Sequence, residues 1–427
     1  MASVLMIGFL VLLTIGLPIA FAMGLATILA IAWHGTLPFS LFAQRALIGA
    51  DSYSLLAIPF FILAGNLMNV GGITERIITF ANACVGRFTG GLGLTTVMSC
   101  MVFSGVSGSA VADASALGKV LIPGMKRQGY HGGFAASVTA AASVMGPIIP
   151  PSIPLVIYGL SVGKGVSVAA LFLGGVIPGL LLALGLSVVV YIIAKKRNYP
   201  KHEAVPFRAL VSAAGQAGWA LFMPVLILVV ITGCIVTVTE SAAIAVLYAA
   251  FVGMAIHREL NWRNIGPIFV QTALDTAVVM IIIAFASGFG WLMAVSGLPR
   301  QVAGVITSIS DNPLIILLMI NGLLLVVGLF MEAIAAMIIL IPVLIPIVEA
   351  AGIDLVHFGL VMVFNLMLGL LTPPVGILLY ICGNFANVRI EAVVREVLPF
   401  LAVGVLVLVL ITYFPSLVLW LPKLVLG

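Results

Sequence analysis

Apolar residues fill this chain in long blocks, separated by short polar or basic punctuation. Blocks at 2–15, 17–33, 52–70, 133–160 and 168–194 predict membrane spans in the first part. Blocks at 219–232, 239–256, 271–293, 356–382 and 399–421 predict them in the second. A helix rises 1.5 Å per residue, so about 20 apolar residues cross a hydrocarbon core of about 30 Å. The step Leu17-Pro18 either separates two spans or kinks a single long one. Two further apolar stretches, 92–123 and 314–347, are interrupted at their middles. The first interruption is Ser104-Gly105-Val106-Ser107-Gly108-Ser109, and the second runs from Gly328 to Glu332. Each half holds roughly a dozen residues, too few to cross. Both stretches therefore predict re-entrant helical hairpins with tips near the midplane. Small residues at a tip permit a tight turn and a close backbone approach to a ligand.

The interruptions belong to a repeat. Gly146, Pro150 and Pro151 of GPIIPP recur 223 residues later as Gly369, Pro373 and Pro374 of GLLTPP. Gly105 falls on Gly328, and Val120-Leu121-Ile122-Pro123 recurs unchanged as Val343-Leu344-Ile345-Pro346. The segment from Gly65 to Gly72 resembles that from Gly290 to Gly297 at an offset of 225, and His34 maps onto His257. Segments 35–51 and 257–270 follow these histidines and predict arms along the membrane interface. Paired helix breakers in two related halves point to a midplane binding site built by structural repeats.

Positive charge orients the halves. Lys195, Lys196, Arg197, Lys201 and Arg208 place 195–218 in the cytoplasm. Counting outward, Arg76, Arg87, Lys126, Arg127, Arg258, Arg263, Arg389 and Arg395 also fall inside. Arg45, Lys164, Arg300 and Lys423 are isolated exceptions on the outer side. The loop 349–355 falls outside and carries Glu349 and Asp354 without a basic residue. Five spans precede the second half, so the same segment order enters the membrane upside down. The repeat is predicted to be an inverted-topology repeat.

With 63% hydrophobic and 7% charged residues, the chain is excluded from soluble classes, which carry about 25% charge. It reads as an all-α polytopic membrane protein with about ten spans and two re-entrant hairpins, in contact with lipid. The apolar N-terminus reads as a first span and not as a cleaved signal. The net charge of +5 lies in short loops and gives no sign of a nucleic-acid partner. Cys84, Cys100, Cys234 and Cys382 lack metal or redox spacing and read as small buried residues. The histidines at 34, 131, 202, 257 and 357 are scattered. No GxxxxGK[ST], kinase or GxGD signature occurs, so no enzyme is predicted and energy must come from an ion gradient or a partner.

The candidate chemistry lies at the breaks. The tip Ser104–Ser109 with Gly146–Ser152 forms one cluster; Gly328 to Glu332 with Gly369–Val375 forms its mate. Unwound segments leave carbonyls without helical partners, which suits a small hard cation such as sodium, and Thr372 adds a hydroxyl. Adjacent half-helix N-termini suit a carboxylate. Ser107, Ser109, Ser152 and Asn365 offer neutral hydrogen bonds to it or simply bond back to their own turns. Charges at membrane depth are costly and usually functional: Asp113, Lys119, Glu240, Asp275 and Glu332. Asp113 either balances a cation or bonds to hairpin backbone. Glu240 and Asp275 sit at span starts and read as helix caps, and Arg300 reads as a loop residue. Glu332, whose repeat mate is Ser109, is the main charged group expected near the site.

GVSGSAVADASALGKVLIPGM, GPIIPPSIPLVIYG, GLFMEAIAAMIILIPVLIPI and GLLTPPVGILLYICGN resemble the large membrane subunit (M, DctM-like) of TRAP transporters, the tripartite ATP-independent periplasmic transporters. The resemblance covers essentially the whole chain. It implies a sodium-coupled, elevator-type importer in the bacterial inner membrane. A periplasmic substrate-binding protein (P) would deliver an organic acid of the sialic acid or C4-dicarboxylate class. A separate small four-helix subunit (Q) would clamp the scaffold. Carried over, one sodium site comprises Ser104, Ser107, Gly146, Ile149 and Pro151, and the other Gly328, Gly369, Thr372 and Val375. Substrate contacts carry over to Ser107 and Ser152, with Glu332 added from the reading of charges. The chain then divides into first-repeat scaffold (1–91), first transport half (92–163), connecting span and linker (164–218), second-repeat scaffold (219–310), second transport half (311–385) and a C-terminal span (386–427). The alternative is a stand-alone sodium/divalent-anion symporter that needs no binding protein.

Overall fold

Inside hydrocarbon, every backbone N–H and C=O must find a partner within the protein, which favours helices. The computed structural model describes residues 1–427 apart from 36, 164, 202–204, 234, 300, 303, 305–309, 311 and 374, and it is helical without a strand among the described residues. The expectations for Lys164, His202, Cys234, Arg300 and Pro374 lie outside the described residues.

The first half contains α1 (Ala2–Thr14), α2 (Ile19–His34), α3 (Ser40–Ala50), α4 (Ala57–Val70) and α5 (Ile73–Val85). It continues with α6 (Gly91–Ser107), α7 (Ala110–Arg127), α8 (Gly132–Ser143), α9 (Ile153–Val162) and α10 (Val168–Lys196). The second half contains α11 (Phe207–Thr232), α12 (Val238–Phe251), α13 (Trp262–Val295), α14 (Pro313–Phe330) and α15 (Ala333–Ala350). It ends with α16 (Leu355–Gly369), α17 (Ile377–Ala386), α18 (Ile390–Tyr413) and α19 (Ser416–Leu426). The helix starts pair across the repeat: Gly91 with Pro313, Ala110 with Ala333, Gly132 with Leu355, Ile153 with Ile377 and Val168 with Ile390, all close to the 223-residue offset.

Both interrupted stretches reverse direction as hairpins. The first turns at Gly108, with φ of +63°, and Ser109, whose hydroxyl caps α7. The second turns at Met331-Glu332, with the Glu332 carboxylate capping α15. Their arms are 17 or 18 residues long rather than a dozen, because Ser104–Ser107 and Gly328–Phe330 stay helical up to the turn. Both broken spans separate as expected, at 144–152 and 370–376.

Other boundaries depart from the apolar pattern. The opening is two helices, parted by Gly16 at φ +90° and Pro18. The polar segment 73–85, read as no span, is α5, and it packs on α6 and α11. The stretch 399–421 is split at Phe414-Pro415 into α18 and α19. The residues 262–270 of the second expected arm are continuous with α13, a helix of 34 residues. Asp275 therefore lies inside a helix and caps nothing, whereas Glu240 does cap α12 through a reciprocal box with Thr237. Cys100 and Cys382 are buried and unpaired, and Cys84 is partly buried and unpaired.

The halves interlock. The first hairpin packs its arm α7 on α8 of its own half and on α17 of the other; α9 packs on α15 and α16. Each broken helix thus sends its second segment into the opposite half. Around them, α4 packs on α12 and α13, and α13 also packs on α2, α3 and α15. The break at 144–152 is seated on α10, where a Cβ on Gly175 would fall 2.2 Å from the Ile148 carbonyl oxygen. Backbone cannot yield as a side chain can, so Gly175→Ala is expected to cost about 1–3 kcal/mol. Thermal unfolding of the purified protein should show a lowered midpoint for that variant. Gly215→Ala, which meets nothing within 4 Å, should leave the midpoint unchanged or raised.

Candidate functional site

At the first hairpin tip, backbone touches backbone. A Cβ on Gly108 would fall 2.7 Å from the Pro151 carbonyl oxygen, and one on Gly146 would fall 3.0 Å from the Ser109 carbonyl carbon and 2.7 Å from Asp113 Oδ2. Glycine is required for this approach at both positions. Asp113 sits in the first turn of α7 with no exposed surface. Ser107 donates to its Oδ1, and Ser104 Oγ lies 3.3 Å from its Oδ2 while donating its single proton to the Cys100 carbonyl at 2.6 Å. Among the described residues these two hydroxyls are its polar partners. Lys119, on the same helix, is exposed and does not pair with it. Among the described residues the carbonyls of Gly146, Ile148, Ile149, Pro150 and Pro151 accept no backbone hydrogen bond. Buried charges are normally paired or bound to metal. A buried carboxylate beside unpartnered carbonyls is a donor set that fits a hard monovalent cation. Ser104, Ser107, Gly146, Ile149 and Pro151 all belong to this tip and break.

The mate differs. Gly369 meets Gly328 so closely that a Cβ on Gly369 would fall 2.5 Å from the Gly328 carbonyl oxygen. Thr372 donates its hydroxyl to the Leu368 carbonyl at 2.8 Å and keeps its lone pairs. Among the described residues the carbonyls of Leu371, Thr372 and Val375 accept no backbone hydrogen bond. Asp113 maps onto Ala336 at the repeat offset, so this oxygen cluster carries no equivalent carboxylate.

Between the tips lies a cavity of about 280 Å³. Its walls include Ser107, Gly108 and Ser109 from the first tip, Glu332 from the second and Pro147 from the first break. Ala110, Val111 and Ala112 bring the N-terminus of α7 to it, Ile153 and Pro154 that of α9, and Ile334 that of α15. Three helix N-termini give the space partial positive charge, which favours an anion. Glu332 lines the same space while its Oε2 accepts from the Ala335 N–H at 3.0 Å. Ser152 stands behind the wall. It is fully buried, accepts from Leu155 N–H at 3.2 Å and donates to the Pro147 carbonyl. Asn365 also lies outside the cavity, bonded to Asn321.

The cavity is also lined by two asparagines that the sequence reading did not place at the site and by Asp275, which it read as a helix cap. Asn66 and Asn69 from α4 and Asp275 from α13 line the cavity. Asn66 donates to Thr272 at 3.0 Å and to Asp275 Oδ2 at 3.4 Å, and Gln271 donates to Asp275 Oδ1 at 2.8 Å. The signal available in the sequence was the pair of asparagines in Gly65–Gly72 and the depth of Asp275; the contact between α4 and α13 was not visible. A second cavity of about 530 Å³ lies between α3, α9, α13 and α15, but no oxygen cluster or helix break opens into it.

The comparisons agree with this architecture. The chain is 42% identical over 420 residues to the sialic acid TRAP transporter large permease protein SiaM of Vibrio cholerae, covering 98% of each chain. It is 38% identical over 374 residues to the C4-dicarboxylate TRAP transporter large permease protein DctM of Pseudomonas aeruginosa, covering 88% of this chain and 87% of that one. Its fold matches the crystal structure of the Alcanivorax borkumensis YdaH transporter with a TM-score of 0.58 and 17% identity, over 91% of this chain and 89% of that chain. Residues 6–417 match the family model described as the tripartite ATP-independent periplasmic transporter, DctM component. This multi-pass membrane protein is therefore a transporter permease subunit and not an enzyme, and it belongs to the DctM family of tripartite ATP-independent periplasmic transporters.

Proposed function

We propose that this chain is the substrate-moving subunit of a sodium-coupled importer for an organic acid. The observation that carries the reading is Asp113, a fully buried carboxylate between two serine hydroxyls and a break rich in free carbonyls. Sodium held there by Asp113's surroundings, and by the Gly328, Gly369, Thr372 and Val375 oxygens at the mate, would supply the driving gradient. Ser104, Ser107, Gly146, Ile149 and Pro151 are the residues proposed to hold the first ion. The hairpin tips and breaks line the intervening cavity, so filling the ion sites would order the walls that receive the substrate. A carboxylate would take the space served by the N-termini of α7, α9 and α15, with Ser107 and Ser109 nearest and Glu332 facing it. Ser152 would support that wall from behind through its bond to Pro147.

The hairpins and broken helices would slide together against α4 and α13, carrying the cavity across the membrane as an elevator. A periplasmic binding protein would deliver the acid, and a small membrane subunit would cover the outer helices. The substrate belongs to the class that includes sialic acids and C4-dicarboxylates, a reading supported by what the similar permeases of Vibrio cholerae and Pseudomonas aeruginosa are named for. A thermal-shift screen of the cognate binding protein against organic acids would name it.

Proteoliposomes holding this chain and the small subunit should take up that acid only with inward sodium and loaded binding protein. Full-rate uptake without the binding protein would favour a stand-alone symporter instead. Gly369→Ala crowds the Gly328 carbonyl, and an ångström-scale shift of binding groups costs on the order of 100-fold in rate. Uptake by that variant should fall accordingly, while Gly322→Ala, which meets nothing within 4 Å, should transport normally. Asp113→Asn keeps the side-chain shape and removes the charge. Its sodium half-saturation should rise at least about tenfold, as expected for losing a charge-assisted contact; an unchanged titration would rule out the carboxylate's role.

A further inference from the structure

The second hairpin is tied down by buried amides that have no counterpart in the first. Asn365 Nδ2 of α16 donates to the Asn321 carbonyl of α14 at 3.0 Å and to Asn321 Oδ1 at 2.8 Å. Asn321 Nδ2 in turn donates to Thr412 Oγ1 of α18 at 2.9 Å. All three side chains are buried, and Asn365 Oδ1 has no hydrogen-bond partner among the described residues. At the repeat offset the corresponding residues are Met98, Ala142 and Val189, all apolar. None of the three polar residues lines either cavity between the hairpins and α13.

Their placement relative to the glycines is informative. Asn321 lies seven residues before Gly328, and Asn365 lies four before Gly369. Spacings of seven and four keep residues on one helical face. The two faces that meet at the amide pair therefore meet again at the Gly328–Gly369 backbone contact. Both pairs follow in the same chain direction, so α14 and α16 run side by side in parallel. A slip along that interface would separate the carbonyls of Gly328 and the 370–376 break. Packing alone resists slip poorly when one partner face is glycine; a bidentate amide contact tethered to α18 resists it directionally. The unpartnered Asn365 oxygen makes this amide costly as mere filling, because a buried unsatisfied acceptor destabilises the fold where a leucine would not.

We infer that Asn365 is a positioning residue for the second cation site, acting through Asn321 and Thr412 to hold α14 in register with α16. The inference rests on the two-site sodium reading above. It assigns the sites different means of support: a carboxylate beside the first, and an amide clamp one helical turn behind the second.

The test is a sodium titration of the full-length chain purified in detergent, with choline chloride keeping the ionic strength constant and the unfolding midpoint as readout. Asn365→Leu removes one orphaned acceptor and orphans another, Asn321 Oδ1, so its midpoint in choline alone should stay near that of the wild type, yet it should need roughly fivefold more sodium for half of the sodium-induced shift, the size one buried hydrogen bond supports. Thr412→Val, which frees Asn321 without touching the amide pair, should move the half-saturation in the same direction by less. If Asn365→Leu does not fold, the Thr412→Val titration decides alone. A lowered midpoint in choline with unchanged sodium half-saturation would make the network purely structural and overturn the inference, leaving the sodium reading intact. A wild-type chain that shows no sodium-dependent shift would remove the sodium reading and the inference with it.

Discussion

The backbone's need for hydrogen-bond partners, in surroundings that offer no water, governs the rest of this structure. A helix broken at membrane depth exposes amides and carbonyls that cost free energy unless protein or ligand receives them. Here each break is met by a hairpin tip, and the meeting is made possible by glycine: Gly108 and Gly146 at one, Gly328 and Gly369 at the other. Side chains then take up individual groups, Ser152 capping α9 and bonding Pro147, Thr372 bonding Leu368. The carbonyls that remain are the ones available to a cation.

Two halves of one design do not make two equal sites. Asp113 is replaced by Ala336 at the mate position, and Ser109 by Glu332. The first oxygen cluster therefore has a buried carboxyl group of its own, while the second tip turns its carboxyl group toward the cavity and its own helix N-terminus. The interlocking of α9 with α15 and α16, and of α17 with α7 and α8, packs the two hairpin-and-break clusters into one another. Each hairpin packs on a segment of the broken helix that began in the other half.

Much of this was legible before any coordinates. Gly and Pro inside apolar runs located both breaks, and the 223-residue register located both tips, because these residue types act through local backbone geometry. Elements that depend on partners were less visible. Segment 73–85 is too polar to read as a span and is helical because it packs on α6 and α11. Residues 262–270 looked like an interfacial arm, yet they continue as α13. Asp275 was misread as a cap for the same reason: the apolar run begins near it, but the helix begins at Trp262.

The sequence by itself determined the class, the internal repeat and the positions of the tips and breaks, since each follows from hydrophobicity or from the backbone chemistry of glycine and proline. Only the tertiary structure decided which groups face one another. It brought Asn66 and Asp275 into the same cavity as Ser109 and Glu332, drew Ser152 behind the wall, and joined Asn365 to Asn321 and Asn321 to Thr412. Those pairings join residues far apart in the chain, and they depend on how helices from both halves cross, which no local pattern encodes.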